Sequence, residues 1–291
     1  MRRPFSTALT VLAVASISAC TIDTGSQDPA GSTEPSVQTT SSAAQTKNRE
    51  LSPTTTAPAE PDPTTPEQST FQPAPAPSPK PAVQPRNNNV DANCSNCVAI
   101  TYDDGPGDYT QQLLNTLKAK NAQASFMVLA NHAYQRPDLL QRMKAEGHTI
   151  GNHTMNHPQL NQLGYGQIAQ EIDAGNAAIR NATGEGSNWL RPPYGATNAT
   201  VDQVTRDKGI SQALWNVDTL DWKIRDSQHV CNAAVSDAQA GSIVLMHDIH
   251  ATTVNAADCV IDGLRAKGLE PVSLDQLLPQ PAPGMRYYSR G

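Results

Sequence analysis

From Val90 onward, short apolar runs rich in β-branched and aromatic residues alternate with stretches whose apolar positions recur every three or four residues. The apolar runs predict strands at Val98–Tyr102, Ala124–Leu129, Thr149–Asn152, Trp189–Arg191, Gln212–Val217, Ile243–His247 and Glu270–Ser273. The helical spacing predicts helices near Thr110–Lys120, Pro137–Glu146, Tyr165–Thr183, Thr200–Lys208, Ser227–Ala240 and Val254–Lys267. Gly-containing or polar turns punctuate most of the joints. Alternation of strand and helix over about 190 residues predicts an α/β fold with a parallel sheet or barrel. In such folds ligands meet the C-terminal ends of the strands.

The pattern is absent upstream. Thr21–Asn89 is dominated by Ser, Thr, Pro, Ala and Gln and holds 13 of the 23 prolines. Such a segment buries too little apolar area to offset its conformational entropy. It reads as a tether, extended in polyproline II where Pro and Ala alternate from Pro73 to Pro81. Ahead of it, Arg2 and Arg3 precede an apolar run from Ala8 to Ile17, the layout of a secretory signal. The run falls short of the roughly 20 apolar residues that span a bilayer. Ile17-Ser18-Ala19-Cys20 resembles the bacterial lipobox, which implies a mature chain beginning at an acylated Cys20 and anchored on the outer face of the membrane, facing the cell wall. The expected organisation is a signal peptide (1–19), a tether (20–89), a folded domain (90–279) and a flexible tail (280–291).

Composition refines this picture. Of 291 residues, 37% are apolar and 16% charged, in keeping with a chain that is packed only in part. A net charge of −6 argues against a nucleic-acid partner, which would need a basic face. Of five cysteines, lipidation of Cys20 leaves Cys94, Cys97, Cys231 and Cys259 for disulfides in an oxidising compartment. Three pairings are open; local spacing favours Cys94–Cys97 and Cys231–Cys259. No second Cys-x-x-Cys accompanies the first, which disfavours a zinc or redox role for it.

Polar residues cluster after the strand candidates. Asp103 and Asp104 end the first, His153 and His157 follow the third, Asp218 and Asp221 follow the strand ending at Val217, and His247 ends the next. Two histidines four apart on a helical turn stand about 6 Å apart at Cβ, close enough to ligate one metal jointly. With one carboxylate they form a His₂-Asp site that can polarise a carbonyl and acidify water. Adjacent aspartates at a strand end point apart, so one can ligate while the other acts as a base. Taken singly, each feature is weak: paired histidines are common on solvated helices, and Asp-Asp-Gly-Pro is an ordinary tight turn.

Taken together and in order, the segments resemble the five motifs of the NodB-type polysaccharide deacetylases, carbohydrate esterase family 4. They are Thr101-Tyr102-Asp103-Asp104-Gly105-Pro106 (Tyr standing where Phe is usual), His153-Thr154-Met155-Asn156-His157, Arg191-Pro192-Pro193-Tyr194-Gly195, Asp218-Thr219-Leu220-Asp221-Trp222 and Leu245-Met246-His247-Asp248. The resemblance implies a distorted (β/α) barrel of about seven strands. It implies that Asp104, His153 and His157 hold a divalent metal, usually zinc, with cobalt, manganese or nickel as alternatives. Asp103 would be the general base, oriented by Arg191; the Tyr194 amide would stabilise the oxyanion; His247, paired with Asp221, would be the general acid. Leu245 and Trp222 would line the acetyl pocket. The implied substrate is an acetylated polysaccharide, peptidoglycan being favoured for a wall-facing chain. O-acetyl esterase and chitooligosaccharide deacetylase readings stay open, and a monomer is expected. Asp218 reads equally as a loop cap or a direct participant. His132, His148 and His229 read as ordinary loop or surface histidines, and His250 is assigned no chemistry.

Overall fold

The computed structural model describes residues 94–290. The expected signal peptide, the whole of the tether and the acylated Cys20 lie outside them. In chain order the elements are β1 (Cys97–Asp103), α1 (Thr110–Ala119), β2 (Ser125–Val128), α2 (Ala130–Gln135), α3 (Pro137–Ala145), β3 (Thr149–Asn152), α4 (Tyr165–Thr183), β4 (Trp189–Leu190), α5 (Ala199–Asp207), β5 (Ser211–Ala213), β6 (Val217–Asp218), α6 (Asp221–Ile224), α7 (Ser227–Asp237), β7 (Ile243–His247), α8 (Ala251–Ala266), β8 (Glu270–Val272), α9 (Leu274–Leu277) and β9 (Arg286–Tyr287). Among the described residues no helix is long and apolar enough to cross a membrane.

The strands form one curled parallel sheet in the order β6-β7-β1-β2-β3-β4-β5-β9, with β8 added beside the first half of β1. The expected α/β fold is present as a curled half-barrel with helices outside, and among the described residues its sheet has nine strands where about seven were expected. Strand parity divides the core. On β1, Val98, Ile100 and Tyr102 face the helices and join one large cluster with the inner faces of α1, α3, α7 and α8. Cys97 and Ala99 face the barrel interior with Met127, Trp189, Ile243, Val272 and residues of α9, which closes the N-terminal end. The same alternation on both strands aims Asp103 and His247 inward at the opposite end, where they are register partners.

The sequence expectations for strands and long helices hold to within a few residues, with three differences. The single strand expected at Gln212–Val217 is two, β5 and β6, because the chain changes neighbours there. The Leu214 amide donates to the Tyr287 carbonyl, whereas the Asn216 amide donates to that of Ile243. The short helices α2, α6 and α9 have no counterpart among the expected elements; they are too short to show a helical period. The expected flexible tail is docked through residue 290. Arg286–Tyr287 pairs with β5, and the Arg286 guanidinium donates two hydrogen bonds, of 2.7 and 2.8 Å, to Asp202. The Arg290 amide donates to the Gly241 carbonyl, and Ser289 bridges to Ser242 at the start of β7. β5 and β6 do not pair, so the tail finds a free sheet edge that the proline-rich sequence around Pro279–Pro283 does not advertise.

Both favoured disulfides are present. Cys94–Cys97 closes the turn into β1, and Cys231–Cys259 joins α7 to α8 across 28 residues. A crosslink closing a loop of that size restricts the unfolded chain. Replacing Cys231 by Ser is expected to lower unfolding free energy by about 3 kcal/mol in chemical denaturation. Equal denaturation curves before and after the change would refute a stabilising role.

Candidate active site

Asp103, Val128, Asn152, Leu190, Asp218 and His247 end their strands side by side, so the loops leaving these strands converge on one mouth. A cavity of about 400 Å³ opens there, with Asp103, Asp104, His153, His157 and His247 in its wall.

Arg191 is fully buried and binds four partners. Its Nη1 donates to Asp103 Oδ1 and Thr101 Oγ1, both at 2.7 Å. Its Nε and Nη2 donate to the carbonyls of Ala213 and Leu214. A guanidinium with four of its five N–H groups bonded can sit in a barrel interior, and it leaves the nearly buried Asp103 compensated. The carbonyl of the same Arg191 lies 2.7 Å from His153 Nδ1. A carbonyl only accepts, so Nδ1 carries a proton and donates it there, and Nε2 is the ring atom that faces the cavity.

That Nε2 and the Nε2 of His157 each lie 3.4 Å from Asp104 Oδ1, and one ligand atom from each residue falls within 4.8 Å of the others. The two histidines do not lie on a helical turn, as their spacing suggested. They flank a loop with positive φ at Thr154 (73°) and His157 (56°). The Glu171 carboxylate of α4 holds that loop by accepting from the amides of Met155 and Asn156. Asp104 is also left-handed, at φ 70°, which turns its carboxylate toward the histidines instead of continuing the strand alternation. Gly105 comes next because a Cβ there would lie 2.3 Å from the Asp248 carboxylate. Burial tends to raise the Asp104 pKa, but the histidines around it, His153 foremost with His247 and His157, outweigh it and hold Asp104 at about 2. Burial and the neighbouring His153 lower the pKa of His157. The result is one ionised carboxylate facing two imidazole nitrogens. Asp104 Oδ1 is buried without a hydrogen-bond partner. An orphaned carboxylate oxygen beside two imidazole nitrogens is a donor set that fits a divalent transition metal.

Opposite the triad, His247 Nδ1 lies 2.8 Å from Asp221 Oδ1. Asp221 is fully buried and its other oxygen accepts from the His247 amide and the Thr253 hydroxyl, both at 2.7 Å. Burial alone would lower the His247 pKa. The hydrogen bond and charge of Asp221, aided by Asp103 and Asp104, raise it to about 9, so the ring is cationic at neutral pH.

Leu245 and Trp222 line the cavity as expected, Leu245 buried and Trp222 half exposed. Tyr194 has φ 61°, and its ring stands edge-on to His157 at 4.6 Å. The amides of Gly195 and Ala196 close that turn, and the Tyr194 amide takes no part in those bonds. Asp218 caps the loop, accepting from the Leu220 amide at 2.9 Å, while also lining the cavity. Trp215 is a cavity residue that no motif marks; it lies under the Arg191 guanidinium, hidden within a stretch that reads as one continuous strand. Two histidines that read as ordinary are not. His148 is buried, accepts from the Ala124 amide and meets Phe126 edge-on. His132 binds the backbone of Asp104. No local sequence pattern marks either.

The family described as Polysaccharide deacetylase matches residues 91–213. A peptidoglycan-N-acetylglucosamine deacetylase of Listeria monocytogenes is 39% identical over 181 residues, which are 62% of this chain and 38% of that one. A chitooligosaccharide deacetylase of Sinorhizobium fredii is 35% identical over 153 residues, 52% of this chain and 71% of that one. Among solved structures, a T48 deacetylase with substrate superposes with a TM-score of 0.65 at 40% identity, covering 68% of this chain and 99% of that one. The chain belongs to the polysaccharide deacetylase family. It spans only 38% of the length of the Listeria relative.

Arg191→Met leaves the Asp103 charge buried and unpaired, and is expected to cost about 3–5 kcal/mol in denaturant titration. In the metal-free protein, NMR titration should place the His247 pKa near 9, and Asp221→Asn should move it down toward the ordinary imidazole value. An unmoved pKa would show that Asp221 does not set the charge of His247.

Proposed function

We propose that this chain hydrolyses N-acetyl groups from N-acetylglucosamine-type residues of a cell-wall polysaccharide, most favourably peptidoglycan, and releases acetate. The observation that carries the reading is the pairing of Asp103 and His247 as register partners at the mouth that holds the Asp104–His153–His157 triad. The names of the relatives support the substrate class. A divalent metal, zinc by preference for this donor set, would be held by Asp104, His153 and His157; when bound it supplies Lewis-acid polarisation of the acetyl carbonyl and acidifies water.

The chain's own residues do the rest. Asp103, oriented by Arg191, takes a proton from the attacking water as the new C–O bond forms. The Tyr194 amide faces the developing oxyanion. His247, already cationic, gives its Nε2 proton to the amine nitrogen as the C–N bond breaks. Asp221 keeps Nδ1 occupied, so the proton is given from Nε2. Leu245 and Trp222 form the wall that suits the acetyl methyl. The lipobox-like Ile17–Cys20 segment supports a lipid-anchored chain on the outer face of the membrane, and mass spectrometry of the mature N-terminus tests it.

The purified chain, incubated with peptidoglycan, N-acetylglucosamine oligomers and O-acetylated xylan, is expected to release acetate from the first two with zinc and none with chelator. Asp103→Asn should lower turnover by about 10²–10⁴-fold, the usual contribution of a general base. Acetate from xylan alone would turn the reading to an esterase, and activity indifferent to chelator would remove the metal from it.

A further inference from the structure

The three metal-facing residues sit on two loops that leave β1 and β3, the strands on either side of β2, and each loop needs left-handed backbone at non-glycine positions: Asp104 in one, Thr154 and His157 in the other. Such conformations persist only where the surroundings over-determine them. The short helix α2, placed after β2 and between the two loops, binds both. Toward the first loop, His132 Nδ1 lies 2.7 Å from the Asp104 carbonyl, and the Leu129 amide just before the helix donates to the Gly105 carbonyl at 3.1 Å. Toward the second, the Ala130 amide donates to the Thr154 carbonyl at 3.0 Å, and Asn131 Nδ2 to the Met155 carbonyl at 3.1 Å. Each side-chain bond is made to a carbonyl, so His132 and Asn131 act as donors whatever the pH. The Asp104 carbonyl belongs to the residue whose turn aims the carboxylate, so removing the donor frees that residue toward an ordinary backbone conformation.

We infer that His132 and Asn131 are positioning residues that set the metal affinity of the Asp104–His153–His157 triad by clamping its two loops to one helical turn. This rests on the reading of the triad as a metal site. Neither residue touches the metal, the substrate or the reacting atoms. Their effect runs through the separation of Asp104 on one loop from His153 and His157 on the other, 3.4 Å in each case, which the clamp would hold fixed for an ion to take all three.

The test is zinc affinity of the full chain, measured by competition with a chromophoric chelator, with thermal melting in excess chelator recorded in parallel. Outer partners of metal ligands commonly change affinity by about 10–100-fold, so His132→Leu is expected to weaken zinc binding by roughly tenfold or more. His132→Asn places an amide donor near the Nδ1 position and is expected to recover most of that loss. Wild-type affinity in His132→Leu would overturn the inference, as would equal losses in the Leu and Asn variants. A wild-type chain that binds no zinc overturns the metal reading itself, and this inference with it. Should His132→Leu unfold in chelator, Asn131→Ala at its exposed position decides: weaker zinc binding supports the clamp, and unchanged binding overturns it.

Discussion

The Arg191 guanidinium is the interaction on which the rest of this structure depends. It stands in the barrel interior with no exposure, bonded to Asp103 and Thr101 on β1 and to two carbonyls at the end of β5. A buried cation without partners would be intolerable, and a buried Asp103 without a cation equally so. The pair therefore fixes β1 against the chain beyond β4 and β5. The carbonyl of Arg191 then orients His153, so one residue sets both the candidate base and one arm of the metal triad.

Charge is arranged around this pair so that neighbouring groups hold opposite protonation states. Asp104 is held low by the imidazoles it faces, and His247 high by Asp221. Both are largely buried, and for each the surrounding hydrogen bonds and charges reverse what burial alone would do. With Asp103 beside them to accept a proton and the cationic His247 to donate one, these groups suit amide hydrolysis, in which one proton must leave water and another must reach the amine. The wall of the cavity adds apolar surface at Leu245 and Trp222, beside these charges but not among them.

The loops that complete the site are less regular than its strands. Their backbone is held by side chains from helices with no chemistry of their own: Glu171 on α4, His132 and Asn131 on α2. Substitutions that leave every motif residue in place can therefore still move the loops that carry the candidate metal triad.

Periodicity alone located the main strands and long helices of the half-barrel, because a period of two or of 3.6 is written in consecutive residues. The order of the motif residues marked Asp103, Asp104, His153, His157, Arg191, Asp221 and His247, and local spacing favoured the two disulfides that form. Other features depend on contacts between residues far apart in the chain. The docking of Arg286 and Arg290 needs the sheet edge left by unpaired β5 and β6. Trp215 reaches the cavity only because the chain changes neighbours after Leu214. His153 and His157 meet through a left-handed loop, although the same spacing on a helix would also have brought them together. His132 looks like any surface histidine until β2 delivers it beneath Asp104, 28 positions earlier in the chain. Local pattern specifies which face of an element is buried; which distant backbone atom a side chain meets is decided by the closure of the sheet.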